Sequence, residues 1–183
     1  MAKKAVVFLA DGFEEIEGLT TVDFLRRAGV DLTTVSIKNE TDIMGSHNIP
    51  LKADTTIDKV DYSDVDMFIL PGGGLGTENL EKSEVLKDIL VKADHDEKFI
   101  SAICAAPRVI GKLGFLNGRK ATCFPGNEKF LEGAEYCPDE KAVTDGRFVT
   151  SRGMGASIEF AAANCAQLLG KAKAEEILAQ IQY

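Results

Sequence analysis

The order of apolar runs and amphipathic segments in this chain predicts an α/β sandwich with a mainly parallel central sheet. Three observations carry that expectation. Residues 4–37 read as a strand, a helix and a strand, the βαβ unit whose two strands run parallel. Two further apolar runs of strand length, Val65–Leu70 and Phe99–Ile103, are each followed by a helical pattern. Strands and helices then keep alternating toward the C-terminus, as layered α/β domains do.

Taken in order, Lys4–Ala10 is the first strand and Asp11-Gly12 a turn. A helix follows over about 14–28, with Ile16, Leu19, Val22 and Leu25 as its expected buried positions and Gly29 as its stop. Asp31–Ile37 is the second strand, and the turn-rich stretch 38–58 reads as a small β-hairpin excursion. Val65–Leu70 is a buried strand ended by Pro71-Gly72-Gly73-Gly74, and Ser83–Asp94 is a helix. Phe99–Ile103 is the next strand, with Pro107 fitting the first turn of the helix behind it. Lys120–Phe124 is a short strand, Asn127–Leu131 a short helix, and Ala142–Thr150 a hairpin turning at Asp145-Gly146. Gly155–Leu169 is the clearest helix, and its 3.6-residue pattern makes Cys165 a core residue. Lys171–Gln180 closes the chain as a helix, with no repeat or linker anywhere.

The 183 residues suffice for one domain with a full core, expected to span 1–183. A formal net charge of −8 with no basic run argues against nucleic acid or an anionic membrane surface as partner. No apolar run is long enough to span a bilayer. The first apolar run gives way to Asp11-Gly12-Phe13-Glu14-Glu15 rather than to a signal-peptide cleavage site, so a cytoplasmic protein is expected. Four cysteines without a C-x-x-C pair, and only His47 and His95, predict reduced thiols and no metal site.

Within this frame Cys104 stands out, because it falls where a strand ends and a helix begins. Unpaired N–H groups and the helix dipole at such a place favour thiolate, the nucleophilic form. The same position also suits an ordinary core thiol. In open parallel sheets, sites lie beyond the carboxyl ends of the strands. Three loops are expected to meet there: Asp11–Glu17, Pro71–Gly76 and the Cys104 turn. The glycine loop can bring backbone N–H groups to a bound oxygen, with the Ala105 N–H as the second donor of an oxyanion hole. A tight turn is the simpler reading of the same glycines. Glu14, Glu15 and Glu17 all suit the start of a helix, and spacing singles out none of them.

Four segments carry a resemblance: Gly12-Phe-Glu-Glu-Ile-Glu17, Leu70-Pro-Gly-Gly-Gly-Leu-Gly76, Ala102-Ile-Cys-Ala-Ala-Pro107 and Thr150-Ser-Arg-Gly-Met-Gly155. In register and over essentially the whole chain, they resemble the ThiJ/PfpI superfamily, in particular the branch of the parkinsonism-associated protein deglycase and bacterial YajL. The resemblance implies a flavodoxin-like three-layer sandwich and a homodimer. It implies that Cys104 is the reactive, oxidisable cysteine and Glu17 the acid beside it. It implies Gly73 and Ala105 as amide donors, with Gly72, Ser151, Arg152 and Gly153 around the pocket. Some members carry histidine where this chain has Phe124, and arginine in the segment where it has Ser46-His47-Asn48.

The chemistry expected from that resemblance is a cofactor-free glyoxalase or deglycase acting on a small dicarbonyl, methylglyoxal or glyoxal. The alternative is a redox sensor or redox-controlled chaperone using the same thiol. No histidine follows Cys104 in the sequence, which argues against a peptidase. A thiol lowered from about 8.5 to about 5 requires roughly 4.8 kcal/mol of differential stabilisation. One hydrogen bond to a charged group supplies only about 1.5–3 kcal/mol. Glu17, the loop amides and the helix terminus are therefore expected to act together on the sulfur.

Overall fold

A computed structural model describes residues 2–183. The chain runs β1 (Lys4–Leu9), α1 (Glu15–Arg27), β2 (Asp31–Ser36), β3 (Asp42–Met44), β4 (Pro50–Lys52) and β5 (Thr55–Thr56). It continues through β6 (Met67–Leu70), α2 (Gly74–Lys82), α3 (Glu84–His95), β7 (Phe99–Ile103) and α4 (Pro107–Lys112). β8 (Lys120–Ala121), β9 (Glu135–Tyr136), β10 (Ala142–Asp145), β11 (Phe148–Ser151), α5 (Ser157–Leu169) and α6 (Lys171–Gln180) complete it.

The central seven-stranded sheet has the order β10-β11-β7-β6-β1-β2-β5. Only the edge strand β10 runs antiparallel. Disregarding the two short edge strands, this is the doubly wound order of flavodoxin-like sheets, in which the chain reverses direction across the sheet between β1 and β6. Strand alternation builds the two cores. Val7 and Leu9 face the layer of α1, α5 and α6 with Phe24, Leu25, Phe160 and Ile177. Val6 and Phe8 face the other layer, with Leu80, Leu86, Leu90 and Ile110 of α2, α3 and α4. Cys165 lies fully buried in the first core, as its spacing requires.

Four elements differ from expectation. Gly74–Lys82 is helical, where the glycines at 72–76 read only as a strand terminator. β8 stops at Ala121 and pairs with β9 in a two-stranded parallel sheet outside the main one. Residues 128–130 form only a 3-10 turn. On α1, Val22 and Leu25 are buried, but Ile16 and Leu19 are exposed. The helix instead turns Glu15, Glu17, Gly18, Thr21 and Phe24 inward. No helix among the described residues is long and apolar enough to cross a membrane.

Candidate active site

The three expected loops meet at the carboxyl end of the sheet, beside the β1/β6 reversal. The Glu14 N–H donates to Gly72 O (3.0 Å) and the Gly76 N–H to Gly12 O (3.0 Å), stitching the first two loops together. β6 and β7 are adjacent, so the Cys104 turn follows beside the glycine loop.

Cys104 adopts φ +65°, a left-handed conformation that costs a non-glycine residue about 1–2 kcal/mol. Two backbone bonds hold it there. Its N–H donates to Ser151 O (2.8 Å), and its carbonyl accepts from the Phe124 N–H (2.7 Å). The strained turn lifts the half-buried thiol off the end of β7, as a nucleophile elbow does. The helix does not begin at the cysteine, because α4 starts only at Pro107. The groups that favour the thiolate are instead the backbone N–H groups of Gly73 and Ala105.

Glu17 is fully buried in the first turn of α1. The Gly72 N–H donates to its Oε2 at 2.9 Å, and its carboxyl and the Cys104 thiol each shift the other's ionisation. Its Oε1 is buried without a hydrogen-bond partner among the described residues. Gly72 has to be glycine here: a Cβ would lie 2.6 Å from Cys104 Cβ and 2.6 Å from Glu17 Oε2. Gly73, at φ +92°, takes a backbone conformation that only glycine adopts readily.

Burial raises the Glu17 carboxyl to about 7, against the pull of its bonds to the thiol and the Gly72 N–H; the charge of Glu14 adds to the rise. Burial, then the charge and hydrogen bond of Glu17, push the Cys104 thiol up to about 12, against the two amides. This departs from the lowered thiol expected from the sequence. Two anions cannot share so small a dry site, so the second ionisation is the expensive one. The groups titrate as a pair, which holds one proton and one negative charge between about pH 7 and about pH 12. Thiolate forms readily only when Glu17 keeps that proton.

Ser151 serves through its backbone, while its hydroxyl donates to Lys141 O (2.7 Å). Arg152 and Gly153 line a neighbouring cavity of about 380 Å³ with Cys123, Phe124 and Met154. Gly153 packs against the Phe124 ring, which is half exposed beside the elbow. Two features had no signal in the spacing: the Gly72 amide as a Glu17 ligand, and Phe124 as a brace of the elbow. Neither pattern can reveal which backbone donor meets which side chain.

A family model described as "DJ-1/PfpI family" matches residues 3–167. The chain belongs to the DJ-1/PfpI family. DJ-1 homolog B of Arabidopsis thaliana is 38% identical over 176 residues, covering 96% of this chain and 40% of that protein. This chain therefore spans well under half of that plant relative. A deglycase of Pyrococcus horikoshii is 32% identical over 151 residues, covering 81% and 89% of the two chains. The crystal structure of Drosophila melanogaster DJ-1beta superposes with a TM-score of 0.94 at 34% identity, covering 100% of this chain and 98% of that one. The chain therefore shares the fold of the DJ-1 structures.

Proposed function

We propose that this family member is a cofactor-independent glyoxalase of the deglycase type, acting on methylglyoxal or glyoxal. The observation that carries the reading is the Cys104–Glu17 pair with two amide donors at the sulfur. The likeness to a protein named as a deglycase supports it. Cys104 Sγ attacks the aldehyde carbon to give a hemithioacetal, whose oxygen the Gly73 and Ala105 N–H groups stabilise. Glu17 carries a proton from the former aldehyde carbon to the neighbouring carbonyl carbon through an enediol. The product is a thioester. Water hydrolyses it, releasing lactate from methylglyoxal and returning the thiol.

The protein is proposed to act in the cytoplasm as a homodimer, protecting against carbonyl and oxidative stress. A second reading, a redox sensor or chaperone, draws on the same amides, which would equally hold the oxygens of a Cys104 sulfinate. The test follows methylglyoxal loss and lactate formation by purified wild type, Cys104→Ser and Glu17→Gln. Turnover in wild type that falls by more than about a hundredfold in both variants is expected, as both groups act in the transition state. Full turnover by Cys104→Ser rules the enzyme reading out. An inactive wild type with its Cys104 reduced leaves the redox reading.

A further inference from the structure

Beyond the cysteine pair, the first turn of α1 carries a second group of ligating side chains. The β3–β4 connection folds over it and brings Ser46 and His47 onto Glu14 and Glu15. We propose that Glu14, Glu15 and His47 bind a divalent cation of the zinc class, with the Ser46 hydroxyl beside the open coordination position. This inference is independent of the glyoxalase reading.

One donor atom from each of the three ligands lies within 4.8 Å of the other two. His47 Nδ1 is 2.9 Å from Glu15 Oε2 and 3.7 Å from Glu14 Oε2. Ser46 Oγ is 2.9 Å from Glu15 Oε2, 3.3 Å from Glu14 Oε2 and 2.9 Å from His47 Nδ1. A tetrahedral zinc ion with bonds of about 2.0–2.1 Å spaces its donors about 3.3 Å apart. The separations of 2.9–3.7 Å bracket that edge. One imidazole with two carboxylates suits zinc, whereas calcium takes about six to eight oxygens.

The carboxylate of Glu15 is built in. Glu15 is only 4% exposed. Its carboxyl fills the space a side chain at Gly45 would need, since a Cβ there would lie 2.6 Å from Glu15 Cγ. The His47 N–H donates to Glu15 Oε1 at 2.7 Å, leaving Oε2 directed at the shared centre. Among the described residues, neither Glu14 nor Glu15 pairs with a lysine or arginine. A single imidazole thus faces two carboxylates, and buried charge of this kind is compensated by a partner or a metal. Residue spacing does not reveal this cluster, because 32 residues separate Glu15 from His47 and only the excursion brings them together.

The test titrates zinc into the full chain against a chromophoric chelator, using wild type, Cys104→Ser, His47→Ala and Glu15→Gln. One ion per chain is expected in wild type and in Cys104→Ser, with affinity at least tenfold weaker in His47→Ala and Glu15→Gln. His47 is largely exposed, so His47→Ala keeps the fold, which a thermal melt without metal verifies. Zinc is also expected to raise the melting temperature of wild type and not of His47→Ala. The proposal is overturned by a wild type that binds no zinc, by unchanged affinity in His47→Ala, or by binding that disappears in Cys104→Ser.

Discussion

At the scale of single residues, the site is a problem of one proton and two acids. Cys104 needs thiolate to attack, and Glu17 needs a proton to leave the sulfur as the only charge. With both protons bound the pair has no nucleophile, and with both lost it has no proton to donate. The productive form therefore has one proton. Its acidic boundary is set by the ionisation near 7 at Glu17, and its alkaline boundary by the one near 12 at the thiol. For the proposed glyoxalase, kcat/KM should fall about tenfold per pH unit below about 7 and stay level well above it. Residual turnover of Glu17→Gln should lack that limb. A wild-type profile flat from about pH 5 to 8 would show that the pair does not control the chemistry.

At the scale of elements, the glycine loop and α1 explain what sequence patterns captured and what they missed. The strand runs and Pro107 located the elbow, because burial and helix starts have periodic or positional signatures. The facing of α1 was not legible: the buried Glu17 takes an inward position while Ile16 and Leu19 turn outward, the reverse of what hydrophobicity alone directs. The helix at Gly74 was hidden by glycines that serve close approach, Gly72 to Glu17 and Cys104 and Gly73 and Gly76 to the backbone of residues 12–14. Substitutions in that loop should accordingly differ sharply. Gly72→Ala sets a Cβ against Cys104 and Glu17, and should cost about 1–3 kcal/mol of stability and most of the turnover. A Cβ at Gly74 meets nothing within 4 Å, and Gly74 opens α2, so Gly74→Ala should hold or raise stability by about 0.4–1 kcal/mol. Urea unfolding of the two variants checks the contrast. On α1, the outward Ile16 and Leu19 are the apolar surface available to the proposed homodimer. Ile16→Glu with Leu19→Glu should shift sedimentation toward monomer while leaving the far-UV spectrum unchanged.

At the scale of the whole molecule, the fold order was legible because each βαβ unit fixes its own handedness and parallel pairing, and successive units can then be laid side by side. The cost of the site was not legible, since it depends on a carboxyl being carried into the interior. That cost has a pH signature. In the unfolded chain Glu17 returns to its ordinary value of 4.5, whereas in the fold it ionises near 7. A raised carboxyl favours the folded state fully below about 4.5, and this contribution is lost as pH rises toward 7, where the unfolded chain has already released its proton. The total is on the order of 3 kcal/mol. Glu17→Gln keeps an acceptor for the Gly72 N–H but has no proton to lose. Its stability relative to wild type should therefore improve by that amount between about pH 4.5 and about pH 7.5. Titrating groups that do not interact with Glu17 contribute equally to both proteins and cancel in the difference, and the coupled Cys104 thiol titrates well above this range in wild type. Urea unfolding of the two proteins at several pH values measures it directly, and a gap that does not change with pH would mean that Glu17 is ionised in the fold throughout.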